Sequence, residues 1–207
     1  MSDPGRQAHW ENVYETKGER EVSWFQDDPA PSLDLIALAG ATESSAIVDI
    51  GGGASRLVDA LLARGHRNVT VLDLSSAALA TARERLGREG DHARWIVADV
   101  TSWRPEADYD FWHDRAAFHF LNASEEQAAY AVRLRQALKI GGHAIIGTFA
   151  PDGPEKCSGL PVTRHSAESI AAILGEGFVL KGSRAHQHRT PWNSVQNFQF
   201  STFVRTG

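Results

Sequence analysis

Cysteine is almost missing from this chain: the single thiol, Cys157, leaves nothing for an internal disulfide to join. Such usage suits a reducing compartment, and a cytoplasmic location is the expectation. No window nears the roughly 20 apolar residues of a membrane span. The opening MSDPGRQAHWENVYETKGER lacks the apolar core of a secretory signal. Positive charge is scarce as well. Lysine and arginine total 21 against 26 acidic residues, a formal net charge of −5, and no dense basic block occurs. Duplex nucleic acid and anionic membranes are therefore not expected as partners. Internal repeats and low-complexity segments are absent. Cys/His pairs at signature metal spacings are absent too, so the loose set Cys157, His165, His186 and His188 is not read as a metal site.

What remains is a chain of 207 residues with ordinary apolar content, enough for one larger domain with a short appendage. Residues 1–40 form an aromatic, acidic segment with Trp10, Tyr14, Trp24 and Phe25. Trp10 and Tyr14 stand at i, i+4 and share one face of a short helix. DDPAPS at 27–32 breaks the chain, and Ser32 is the expected cap of a helix over 33–39. Residues 41–207 form the main domain, where strands and helices alternate. AIVDI, VTVLDL, ARWIVAD, YDFWHD and HAIIGTF read as five strands, the last over 143–149. The helix beginning SEEQ carries an expected capping box of Ser124 and Gln127, and Ser75 caps the helix that ends at Gly87. Two further strand-like stretches follow, joined around TPWN and able to pair antiparallel. The expectation is an α/β, three-layer, doubly wound fold with a mostly parallel sheet and a helical N-terminal cap.

In such a sheet, ligands sit beyond the carboxyl ends of the strands. Gly51, Gly52 and Gly53 follow the first strand, where missing side chains allow positive φ and close approach of a ligand. Asp73 ends the second strand, placed to accept from both hydroxyls of a ribose. Asp99 ends the third, placed to accept from an adenine amino group, while the Val100 N–H faces the ring. The third glycine of a dinucleotide fingerprint is replaced by Arg56, too large to sit beneath a pyrophosphate. Asp49, two residues before the glycines, repels phosphate but suits an ammonium group. S-adenosylmethionine (SAM) has adenosine, an ammonium-bearing tail and no phosphate.

The motifs VDIGGGAS, VLDLS, VADV and LKIGGHAIIGTF, taken together, resemble those of class I SAM-dependent methyltransferases over about residues 46–150. The resemblance implies a seven-stranded sheet whose last strand is antiparallel. It also implies SAM-binding roles for Asp49, Gly51, Gly53, Asp73, Leu74, Asp99 and Val100. HWENVYETKGEREVSWFQ is similar to the opening of a subgroup that methylates lysines of elongation factor 1A and citrate synthase. Trp10, Tyr14, Trp24 and Phe25 have two readings: packing a helix on the core or, as this resemblance implies, capping the cofactor, where an aromatic face such as that of Trp24 suits a sulfonium. HDRAAFHFL resembles instead the small-molecule enzymes of the thiopurine type.

For the reacting end, His113, Asp114, His119 and His188 are the candidate catalytic or acceptor-contacting groups, with a structural Asp114–Arg115 pair as the competing reading. The stretch 150–165 is long for a connection and is expected to be a lid. A small-molecule acceptor is preferred, because the chain is short, acidic and carries its own lid. A protein lysine is the alternative. An NAD-dependent oxidoreductase on the same sheet and a catalytically silent SAM-binding partner are the remaining readings.

Overall fold

The computed structural model describes residues 4–207. The five strands of the parallel part are β1 (Ile47–Ile50), β2 (Val69–Asp73), β3 (Ala93–Val97), β4 (Tyr109–Arg115) and β5 (Leu138–Phe149). A hairpin of two short strands, β6 (Lys156–Cys157) and β7 (Leu160–Pro161), stands apart, and β8 (Phe178–Arg189) and β9 (Val195–Arg205) close the chain. The main sheet has seven strands in the order β3-β2-β1-β4-β5-β9-β8. Its first five strands run parallel, and β9 is antiparallel to both β5 and β8. The expected sheet is therefore present, antiparallel last strand included.

Alternation along the strands sends successive side chains to opposite faces. Val48, Trp112 and Ile146 join one core with Tyr130 and Leu134 of α5 (Ser124–Ala137) and Ile170 of α6 (Ala167–Leu174). Ile47, Phe111 and Ile145 join the other with α2 (Ala30–Leu38) and α3 (Leu57–Ala63). Helix α1 (Pro4–Thr16) packs instead on α4 (Ser76–Leu86). Among the described residues no helix is long and apolar enough to cross a membrane.

Local signals held unevenly. Ser75 caps α4 by accepting from Ala78 N at 3.0 Å, and Gly87 ends it at φ +55°. Helix α2 starts at Ala30, ahead of Ser32, with Pro31 in its first turn where no N–H is needed. Ser32 is thus inside the helix, and its hydroxyl turns to the sheet. The cap of α5 is Ala123 rather than Ser124: Glu126 accepts from the Ala123 N–H at 3.3 Å, and Gln127 donates to Leu121 O at 2.9 Å. No turn separates α5 from β5, which begins at Leu138, five residues earlier than the apolar run suggests.

Candidate active site

A cleft encloses about 750 Å³, its open mouth included, at the carboxyl ends of β1, β2, β3 and β4. Six of the residues singled out for the cofactor line it: Trp24, Gly51, Asp73, Leu74, Asp99 and Val100. Gly51 has φ +65°, and a Cβ there would stand 2.7 Å from the Ala117 Cβ. Gly53 has φ +43°, and its Cβ would meet Asp73 Oδ2 and Tyr14 Oη at 3.0 Å. The turn is therefore closed to side chains at both positions. The Asp73 carboxylate accepts from Ser75 N at 2.8 Å and also bonds to Gly53 N–H. Burial pushes its pKa up to about 7, with the charges of Asp49 and Glu11 adding to the rise. Asp99 accepts from Thr101 N at 2.8 Å and Thr101 Oγ1 at 2.7 Å, which fixes the turn after β3.

The roof is helix α1 with the segment behind it. Trp10 and Tyr14 line the cleft. Trp24 Nε1 donates to Tyr14 Oη at 3.2 Å, and Trp10 meets Trp24 and Phe120 edge to face at 5.5 and 5.0 Å between centroids. Three latches hold α1 down. Glu11 accepts from Ser76 N at 2.9 Å and Ala77 N at 3.0 Å at the start of α4, where the helix dipole favours a carboxylate. Burial raises the Glu11 pKa, but the Ser75, Ser76 and Ala77 donors outweigh it and hold the group below its ordinary value. Arg6 pairs with Glu126, and His9 Nε2 meets Ser158 Oγ at 3.3 Å. Nothing in the local sequence marks Glu11, since its partners lie more than 60 residues away.

Arg56 explains its own presence at the third glycine position. It turns outward to pair with Glu19, which also pairs with Arg85, and Arg85 is held by Asp59. That network fixes the turn at 19–21 to α3 and α4.

The four residues expected at the reacting end do not converge on the cleft. Asp114 is 0% exposed. Its carboxylate accepts from Ala117 N at 2.9 Å, Phe118 N at 3.1 Å and Tyr130 Oη at 2.8 Å. Nor does it pair with Arg115, because neighbours on a strand point to opposite faces. Asp114 holds the turn that follows β4, and Asp114→Asn is expected to lower stability by about 1–3 kcal/mol. Denaturant unfolding reads that loss, while turnover per folded molecule stays at the wild-type rate. A large fall in turnover with stability intact would return Asp114 to the reaction.

His113 has both ring nitrogens engaged, Nδ1 with Asp49 Oδ1 at 2.7 Å and Nε2 with Ser32 Oγ at 2.8 Å. The series Ser32–His113–Asp49 has the connectivity of a nucleophile, base and acid. Yet Ser32 is 1% exposed and belongs to the α2 contact with the sheet, so no substrate reaches its hydroxyl. Asp49 therefore lies beneath the glycine turn rather than in the cleft wall. His119 is fully buried, accepts from Phe149 N at 3.3 Å, and burial pushes its pKa down to about 3. His188 donates from Nε2 to Ser23 O at 2.6 Å, and burial lowers its pKa to about 4. It ties β8 to the cap segment.

The 150–165 stretch is not structureless. Its hairpin brings Cys157 into the cleft wall, and Thr163 N donates to His119 O at 2.8 Å. Among the described residues no group of three metal-ligating side chains comes together.

Residues 47–142 match a family model described as a methyltransferase domain. The chain is 29% identical over 125 residues to malonyl-[acyl-carrier protein] O-methyltransferase 1 of Ilyobacter polytropus, and 25% identical over 145 residues to nodulation protein S of Rhizobium tropici. These alignments take in 60% and 70% of this chain but 45% and 58% of the relatives' own lengths. Among solved structures, a 1,6-didemethyltoxoflavin N1-methyltransferase of Burkholderia thailandensis, with its heterocycle and S-adenosylhomocysteine bound, superposes with TM-score 0.72. That match is 19% identical and covers 100% of this chain and 92% of the other. The seven-stranded sheet of this chain is thus the fold of that methyltransferase, and its segment 47–142 resembles a methyltransferase domain.

Proposed function

We propose that the protein transfers a methyl group from SAM to a small-molecule nucleophile. The observation carrying this reading is that the ends of three successive strands deliver Gly51, Asp73 and Asp99 to one cleft beneath an aromatic roof. Asp73 would hold the ribose hydroxyls, Val100 and Asp99 the adenine edge, and the closed turn at Gly51–Gly53 the tail. Trp10, Tyr14 and Trp24 offer aromatic faces suited to a sulfonium. A small acceptor fits because α1 and the β6–β7 hairpin both wall the cleft, through Trp10 and Cys157. The relatives named above include methyltransferases of a carrier-bound malonyl group and of a heterocycle, consistent with this class.

Bound SAM supplies a methyl group on a positively charged sulfur, open to in-line attack. The chain's own part is alignment and exclusion of water. With Asp114, His113, His119 and His188 committed elsewhere, the only carboxylates among the described residues lining the cleft are Asp73 and Asp99 on the adenosine side, and the acceptor's own nucleophile does the work. Titration with SAM and NAD, followed by an assay for S-adenosylhomocysteine (SAH) release against protein and small-molecule fractions of a cell extract, tests the reading. Binding of NAD without SAM would overturn it, and release with the protein fraction alone would favour a lysine acceptor.

Asp73→Ala is expected to weaken SAM by about 1–3 kcal/mol, the scale of a charge-assisted hydrogen bond. The pH dependence follows from the raised pKa of about 7 in the free protein. An ionised carboxylate accepts from both hydroxyls, so affinity rises as pH increases from about 6 to 8, and binding near pH 6 releases a proton. Without ligand the sign for stability is opposite. The folded pKa lies above the unfolded 3.8, so this group removes stability as pH climbs from about 4 to about 7. Calorimetry in two buffers of different ionisation enthalpy counts the proton. The same affinity and proton count in Asp73→Ala would remove the assignment.

A further inference from the structure

Two arginines line the cleft. Arg6 is neutralised by Glu126. Arg115 has no carboxylate partner among the described residues. Its Nη1 donates to Trp24 O at 2.9 Å and its guanidinium lies 5.2 Å from the centre of the Phe198 ring. Nε and Nη2 are buried and have no hydrogen-bond partner. These two nitrogens form the side-on edge of the guanidinium, the fork that matches a carboxylate with two parallel bonds.

The charge of Asp49 acts on Arg115, but that carboxylate bonds to His113 and not to the guanidinium, so no anion fills the fork. The Cys157 thiol is pushed up to about 11 by burial, and Tyr14 is raised from its ordinary value by burial and the nearby Asp73, so both are neutral at physiological pH. A half-buried cation whose donors are shut from water and left unpaired is costly in a folded protein, and such a group in a cleft points to a ligand that completes it. Its place decides which ligand. The cofactor's expected anchors end β3, β2 and β1, whereas Arg115 ends β4, the next strand beyond the tail.

We propose that the methyl acceptor carries a carboxylate, bound side-on by Nε and Nη2 of Arg115. The proposal rests on the methyltransferase reading and names its substrate class. Arg115 is then a specificity-determining residue, with Trp24 O orienting the guanidinium and Phe198 supporting its face.

Benzoate serves as the anionic probe and benzamide as its neutral counterpart, each titrated into the full-length protein saturated with SAH. Benzoate is expected to bind the wild-type complex, and Arg115→Gln to weaken it about tenfold or more, the direction set by losing a two-point charged contact. Benzamide should bind weakly to both. Arg115→Lys keeps the charge without the fork, and should retain an intermediate affinity. SAH affinity and the melting temperature of each variant are measured alongside. Equal benzoate binding by wild type and Arg115→Gln, or none by wild type, overturns the proposal. So does an Arg115→Gln protein that loses SAH affinity while binding 5′-methylthioadenosine, which lacks the carboxylate, as well as wild type does, because the fork then serves the cofactor's tail. A wild type that binds neither SAM nor SAH fails the methyltransferase reading itself and takes this proposal with it.

Discussion

Gly51→Val is expected to lose SAM binding altogether on a calorimetric scale, at least about 100-fold, or roughly 2.7 kcal/mol. Two independent constraints meet at this residue. Its φ of +65° is an outlier for any β-branched side chain, and a Cβ there would stand 2.7 Å from the Ala117 Cβ. Relief requires the turn after β1, or the turn held by Asp114, to move, and both line the cleft. The backbone conformation alone costs about 1–3 kcal/mol of stability. A melting curve therefore accompanies the titration, and Gly51→Ala, strained in φ but less bulky, should fall between. A folded Gly51→Val protein with wild-type SAM affinity would reduce the glycine row to a tight turn and remove the cofactor assignment at β1.

Removing residues 1–26 is expected to leave a folded sheet that binds SAM some 30- to 100-fold more weakly, about 2–3 kcal/mol, from loss of apolar cover and of the aromatic faces. The cut spares α2, whose Ser32 holds His113. The two main cores are built around β1–β5 and persist without α1. Some stability goes with the segment, since Arg115 loses Trp24 O and His188 loses Ser23 O. Glu11→Gln gives a gentler version, releasing one latch while keeping the roof's rings. Full affinity and full turnover in the truncated protein would show that α1 only packs on α4.

The cofactor half of the cleft was legible in the sequence because each part of it is local. A strand, its terminal acid and the turn behind it are contiguous, as in VDIGGGAS and VLDLS, and the parallel sheet brings strand ends to one side automatically. Trp10, Tyr14 and Trp24 were legible as a group for the same reason, lying within 15 residues of one another. The reacting half was not. HDRAAFHFL offers four polar residues in a row of nine, and the pleat decides which face the cleft. It turned Asp114 toward Tyr130 in the core and Arg115 into the cleft wall. The residue read as a structural partner became the one with open donors.

The sequence by itself determined the order of strands and helices, the acids at the ends of β2 and β3, and the glycine turn, because periodicity, capping and turn chemistry act over a few residues. Only the tertiary structure decided which polar groups remained available for chemistry. The His113 ring is taken by residues 64 and 81 positions away, and His188 by one 165 positions away. Such pairings leave no local pattern, since they exist only once distant segments are packed together and burial compels each polar atom to find a partner.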